Sequence, residues 1–375
     1  MSERNLVKHQ AMELHPIHFN LWNQFVEASP QGDVFCYAWW LDAITKGNFK
    51  ILVILDKDEI VAGIPLAYYF GKINEPPLTR TLGPLFKNLD HLDEHDRITQ
   101  QRKWLNALLV KIPMDEFEQF CTSHNFNDWL PFRWRGLKQT TRYTYLIDYS
   151  QTAEIDLWKK LSRNRQRMVL RAGKEGIHCV KTNSLQQFYA LELMTYKRQG
   201  LKFRLAFDDF KRLDEAIQKN GHRRIITAID KNGVPHAAIY LAFNRNSVYA
   251  LLSGSDPQFR HLGGHTLVMW EAIKYFHGKV KYFNFGGSDI ERIETHLRGF
   301  GGKLHQYFHI YKEHPLIKEI QVVKEIQVIK EIAVAAPPCA DDWLYHTGRI
   351  LHHIKILILK TLYKLHIRFS NKNPR

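Results

Sequence analysis

The stretch VYALLSGSDPQFRHLGGHTLVMWEAIKYFHGKVKYFNFGGSDIERIETHLRGFGG, residues 248–302, decides the fold. Val248 to Leu252 is a short apolar run of β type. Ser253-Gly254-Ser255-Asp256-Pro257 is a polar loop. Arg260, Gly263, Gly264, His265 and Thr266 follow and lead into an apolar helical run that reaches Phe276. Val280 to Phe285 is a second strand, closed by Gly286-Gly287. The order is strand, glycine-bearing turn, helix, strand.

The turn reads two ways. A helix start has unpaired backbone N–H groups and a partial positive charge, so it favours an anion. Glycine lets the backbone approach that anion with no Cβ between them. On this reading Arg260 to Thr266 form a pyrophosphate site. On the other, Gly263 and Gly264 only shape a loop-to-helix turn, because so short a glycine motif fits both.

The same residues resemble the coenzyme A loop of the GNAT acyltransferases, whose pattern is Arg/Gln-x-x-Gly-x-Gly/Ala. Arg260 and Gly263 fit, and His265 stands where Gly or Ala is expected. The wider frame is similar to the FemABX-type aminoacyltransferases and the BioF2-like acetyltransferases. It rests on Ser253-Gly254-Ser255, Phe285-Gly286-Gly287 and Leu297-Arg298-Gly299-Phe300-Gly301-Gly302. The resemblance spans residues 18–312 and is more specific in the second half. It implies an α/β (α+β) fold of two tandem GNAT-like units, with mixed, mainly antiparallel sheets flanked by helices. The units are expected at 1–149 and 150–312, the second with the donor loop.

Composition bounds the rest. A chain of 375 residues is long enough for two ordinary domains. Hydrophobic residues make up 45% and charged residues 24%, which are globular values. The formal net charge of +15 points to an anionic partner: nucleic acid, membrane surface or phosphorylated substrate. Cys36, Cys121, Cys179 and Cys339 are far apart and form no C-x-x-C pair, so free thiols in a reducing compartment are expected. The first residues, MSERNLVKHQAMELH, carry no apolar stretch of signal-peptide type, and no run of apolar residues suffices for a membrane span. A cytoplasmic chain is expected.

Along the first half, two helices are expected within 16–47, then a hairpin of Lys50–Leu55 and Ile60–Tyr69. A helix over Asp96–Ile112 places Trp104, Leu105, Leu108 and Leu109 on one face. Thr144–Asp148 reads as a strand of this half. In the second half, Ile155–Lys174 reads as one helix with a basic stripe of Lys160, Arg167, Arg171 and Lys174, with Arg163 and Arg165 beside it. That stripe is either a solvated face or a contact for phosphates of a substrate or of RNA. Ser184 caps a further helix, which Gly200 stops.

After Lys312 the composition shifts to a six-residue repeat of KEI(Q/A)V type over 313–340, read as a linker or arm. Residues 341–375 read as a basic amphipathic helix, which either lies on an anionic bilayer or packs on protein.

Acyl transfer to an amine asks little of side chains. The donor must be held, the amine must lose a proton, and the developing oxyanion must be stabilised. The resemblance implies that a splayed strand end, here Leu251, Leu252 and Ser253, supplies backbone N–H groups. Gly200-Leu201-Lys202-Phe203-Arg204 is similar to the segment whose arginine binds the diphosphate of a nucleotide-linked acceptor, which implies a clamp role for Arg204. Arg298 falls where the family places a lysine near the transferred group. Arginine keeps that charge but cannot act as a base. Lys46, after Trp39-Trp40, lies near the family's phosphate-binding lysine. Asp289 and Glu291 follow Gly286-Gly287 and are the candidates for a base.

No G-x-S-x-G elbow, H-E-x-x-H or full P-loop is present. The His261/His265 and His352-His353 pairs lack further ligands, and no metal is expected. The expectation is an N-acyltransferase moving an acetyl-type group from acyl-CoA to an amine of an anionic, nucleotide- or lipid-linked envelope or polysaccharide precursor. A FemABX-type enzyme using aminoacyl-tRNA on a peptidoglycan precursor is the alternative. A non-catalytic module that binds an acidic polymer or membrane is the alternative of another class.

Overall fold

The computed structural model describes residues 10–203 and 205–313. Arg204, the repeat segment and the basic tail, with their expected phosphate and membrane contacts, lie outside the described residues.

The first half runs β1 (Ala11–Glu13), α1 (Phe19–Ala28), α2 (Ala38–Thr45), β2 (Phe49–Asp56), β3 (Glu59–Tyr69), β4 (Lys72–Ile73), β5 (Leu85–Phe86) and α3 (Glu94–Lys111). The apolar spacing of α1 buries Trp22, Phe25 and Val26. The Trp22 indole N–H donates to the Cys36 carbonyl at 2.7 Å, so its one polar atom is satisfied inside the core. Asp93 caps α3 by accepting from the Asp96 N–H, and the expected Trp104, Leu105, Leu108 and Leu109 are its buried face. The strands form a small sheet in the order β1-β2-β3-β4, with β5 also on β3.

The chain continues with β6 (Gln119–Cys121), α4 (Leu130–Trp134), β7 (Lys138–Asp148), α5 (Glu154–Lys160), α6 (Arg163–Lys174), β8 (His178–Thr182), α7 (Leu185–Arg198) and α8 (Phe207–Lys219). It then runs β9 (Arg223–Ile229), β10 (Pro235–Phe243), β11 (Ser247–Ser255), α9 (Gly264–Phe276), β12 (Tyr282–Asn284), α10 (Glu291–Arg298) and β13 (Lys303–Tyr311). The large sheet has the order β6-β13-β7-β12-β11-β10-β9-β8. Its ladders are antiparallel except for the parallel pair β11/β12.

Alternating residues of the large sheet feed two apolar layers. Tyr240 packs with Phe188 of α7 and Phe210 of α8 on one face. Ile239 and Leu241 join Val268 and Ile273 of α9 and Val169 and Ala172 of α6 on the other.

Three features depart from the sequence expectation. The strand expected over Thr144–Asp148 begins at Lys138 and lies inside the large sheet, between β12 and β13. The two sheets therefore do not divide at residue 149. The helix expected over Ile155–Lys174 is two helices, because Leu161 and Ser162 are extended and Ser162 starts the second by accepting from the Arg165 N–H. α10 has no counterpart in the sequence reading. The cysteines among the described residues are free thiols, with Cys36 and Cys121 buried.

Candidate active site

The parallel pair β11/β12 holds for three residue pairs, Ser247↔Tyr282, Val248↔Phe283 and Tyr249↔Asn284. β11 then continues to Ser255 on β10 alone. Opposite Tyr240 and Leu241 the ladder skips Leu251, so Leu251 is the extra residue of a bulge. The bulge turns β11 away from β12, and beyond Tyr249 its far edge pairs with no strand among the described residues. The sheet forks there, and the fork presents backbone N–H groups to whatever enters it.

Above the fork the 3-10 turn Pro257–Leu262 leads to Gly263, whose φ of 91° is left-handed, and α9 starts at Gly264. A Cβ on Gly263 would lie 2.3 Å from the backbone oxygen of Met168 in α6. The glycine is thus fixed by close packing of α6 on the loop. Thr266 is buried, and its N–H donates to the Gly263 carbonyl at 3.0 Å. Leu252 is buried in the α7-side core.

His265, in the first turn of α9, points its Nε2 at the Ser253 hydroxyl, 3.0 Å away. Its ring lies 5.1 Å from the His296 ring of α10, and His296 lies 5.3 Å from Phe300. The Arg165 guanidinium covers Phe300 at 5.4 Å. The glycines of Leu297–Gly302 make this nesting possible. A Cβ on Gly299 would lie 3.0 Å from Arg165 Nε, and one on Gly301 would lie 2.6 Å from the Lys160 carbonyl oxygen.

The electrostatics are one-sided. Burial pushes His265 down to about 4, helped by the charges of Arg260, Arg165 and Arg198. Burial, then His265, Arg165 and Arg260, push His296 down further still. Arg198 is lowered by burial and by Arg260 and Arg292. Among the described residues no carboxylate pairs with Arg165, Arg198, Arg260 or Arg292, and Arg165 Nε is buried without a hydrogen-bond partner. An unpaired buried donor of this kind fits an anion.

The expected site residues are distributed unevenly. Ser253, Arg260 and His265 come together. Arg298 is mostly exposed and reaches Glu294 at 3.5 Å, and Glu294 also accepts from the Tyr145 hydroxyl. Asp289 and Glu291 are exposed. The charge of Asp289 is felt by Arg142 and His309, and neither carboxylate acts on the Ser253–His265 pair. Arg167 and Arg171 lie exposed on α6. Arg198 and His296 were not singled out from sequence. His296 sits two residues before Arg298, and the helical turn sends it inward while Arg298 faces out.

Lys46 lies elsewhere, in a groove of about 700 Å³ lined also by Thr45, Asn48, Tyr68, Phe70 and Leu205. Its Nζ is 3.0 Å from Asp209, which also takes Arg212 at 3.0 Å. Those two cations hold the Asp209 carboxyl below the ordinary range. Leu205 directly follows Arg204 in sequence.

Residues 159–292, which carry the fork, α9 and all four of Arg165, Arg198, Arg260 and Arg292, match the family model of the acetyltransferase (GNAT) domain. The chain carries a GNAT acetyltransferase domain. Its activity class is acyl transfer. No curated protein matches the chain. Among solved structures, FemX is similar over 80% of this chain and 96% of its own, at 13% identity and a TM-score of 0.61. At that identity the likeness speaks for the fold, and it extends well beyond the matched GNAT domain. The C-terminal domain (DUF2156) of a putative lysylphosphatidylglycerol synthetase from Agrobacterium fabrum aligns over 80% of this chain and 92% of its own, at 14% identity and a TM-score of 0.49. A tandem GNAT protein from the clavulanic acid biosynthesis pathway aligns over 82% and 99%, at 10% identity and a TM-score of 0.44. No helix among the described residues is long and apolar enough to cross a membrane. None of their His, Cys, Asp and Glu side chains form a group of three able to hold a metal ion.

Proposed function

We propose that this GNAT-domain protein is an N-acyltransferase that takes an acyl group from a phosphate-bearing donor, acetyl-CoA first among them. The acceptor is an amine on an anionic, nucleotide- or lipid-linked envelope or polysaccharide precursor. The reading rests on one observation: Arg165, Arg198, Arg260 and Arg292 gather without carboxylate partners beside a sheet fork. Donor phosphates neutralise those guanidinium groups, and the unpaired edge of β11 polarises the acyl carbonyl through its N–H groups. The Lys46 groove has room for part of the acceptor, with the Lys46 charge already met by Asp209.

Calorimetric titration with acetyl-CoA tests this, with Arg260→Glu alongside. Saturable binding that the variant weakens at least tenfold supports the reading. No binding at millimolar acetyl-CoA overturns the choice of donor.

A second reading has its own observation. Arg163, Arg167, Arg171 and Lys174 extend the cationic surface along the exposed face of α6, and α6 covers Gly263. A longer polyanion, the acceptor end of an aminoacyl-tRNA, would use that extension. Transfer from charged tRNA in place of acetyl-CoA would establish it.

A further inference from the structure

We propose that Ser253 and His265 relay the proton lost by the attacking amine, and that an anion seated among Arg165, Arg198 and Arg260 switches this relay on. The proposal rests on the acyl-transfer reading above and supplies the base that reading lacks.

The geometry comes first. Ser253 is on the stretch of β11 that has left β12, and its hydroxyl lies on the α9 side of that strand, beside the fork. His265 Nε2 is 3.0 Å behind that hydroxyl. When Nδ1 carries the imidazole proton, Nε2 accepts from Ser253 Oγ, and Oγ keeps a lone pair for a proton arriving from the fork. The step balances. The amine nitrogen attacks the acyl carbon, a C–N bond forms, and the bond from that carbon to the leaving sulfur or oxygen breaks. The proton shed by nitrogen passes to Ser253 Oγ as the hydroxyl proton passes to His265 Nε2. The leaving group then takes a proton back by the same route, which restores both side chains.

The surroundings of the ring explain the switch. His265 faces Ser253 of β11, His296 of α10, Arg165 of α6, Arg198 of α7 and Arg260 of the 3-10 turn. Three of these are cations and none is a carboxylate. Burial opposes an imidazolium here, and without a counter-ion the cluster opposes it further, so the relay is a poor proton acceptor. Phosphate groups among the arginines cancel that field and leave only the burial penalty, so the ring takes up a proton more readily when the donor is bound. The amine is deprotonated more readily when donor is present, which couples the chemistry to donor occupancy without movement of the chain.

The test uses inorganic pyrophosphate as the probe and the full chain. The His265 ring signals are assigned by their loss in His265→Gln and titrated by NMR with and without pyrophosphate. The expected result is a midpoint near 4 in the free protein that rises by at least one pH unit with pyrophosphate, with a smaller rise in Arg260→Gln. An unmoved midpoint overturns the switch. For the relay, His265→Gln should lower the transfer rate about a hundredfold, the low end of what acid–base catalysis contributes, and flatten its pH dependence. Ser253→Ala should do the same at unchanged thermal stability. Wild-type rates in either variant overturn the relay. Absence of transfer from both acetyl-CoA and aminoacyl-tRNA in the wild type overturns the function itself, and the NMR arm still judges the switch.

Discussion

Two cationic regions of this protein differ in what balances them. In the Lys46 groove, Lys46 and Arg212 share Asp209, so each cation has a carboxylate partner within the protein. At the fork, Arg165, Arg198 and Arg260 act on His265, the first and last of them also on His296, and meet no carboxylate. A cation that the fold has neutralised belongs to the architecture first. Cations that the fold gathers and leaves open need an anion from outside, because crowding them raises the energy of the free protein.

The strongest way to break this contrast is charge reversal. Arg260→Glu should weaken binding of a phosphate-bearing donor about a hundredfold, the scale of a lost charge-assisted contact plus new repulsion. Lys46→Glu should leave donor binding within about twofold, since exposed pairs are worth little. Equal losses in calorimetry would erase the distinction.

The turns beside the two regions offer the next comparison. Gly47, with φ of 82°, has nothing nearer to its missing Cβ than Asp42 Oδ1 at 3.8 Å, whereas a Cβ on Gly263 meets the Met168 carbonyl oxygen at 2.3 Å. Gly47→Ala should cost about 1 kcal/mol of backbone strain. Gly263→Ala should cost about 2 kcal/mol more, because α6 must move. Denaturant midpoints for the two variants decide it.

Behind the fork, α7 carries Glu192, buried and pushed by desolvation from 4.5 up to about 8. A carboxyl raised in the folded state gives its full stability below pH 4.5 and loses it as pH rises towards 8. Glu192→Gln should therefore gain on the wild type between pH 5 and pH 8 in urea midpoint. Parallel pH profiles would mean that the carboxyl finds a partner.

The smallest effect separates the donors. Arg167→Ala and Arg171→Ala should each lower the salt slope of tRNA binding by about one and leave acetyl-CoA affinity unchanged.

Much of this site was legible because its signals are local. The run from Arg260 to His265 announced a strand, a turn and a helix, and Ser184 announced the start of α7. The rest depends on distant packing. Arg165 reads as one more charge in a basic helix until Gly299 and Phe300, more than 130 residues later, close over it. His296 and Arg298 lie on a short helix with one buried residue. Ile293 and Leu297 recur at helical spacing and place His296 beside the apolar stripe, but a helix of eight residues gives that signal little length in which to stand out. β7 reads as a strand of the first half, and nothing in its own residues says that its partners are Tyr282–Asn284 and Lys303–Tyr311.

The position of β7 bears on how the protein can be made and divided. The stretch recognisable as a GNAT domain, residues 159–292, contains neither β7 nor β13. Cut out alone, it would present the bare flank of β12 to water, an open invitation to sticking. On the ribosome, β7 emerges long before the strands that enclose it and must wait for residue 311 before its second ladder can close. A working fragment would have to begin upstream of Lys138 and run to Tyr311. The part that evolution's signature marks is smaller than the part that can stand by itself.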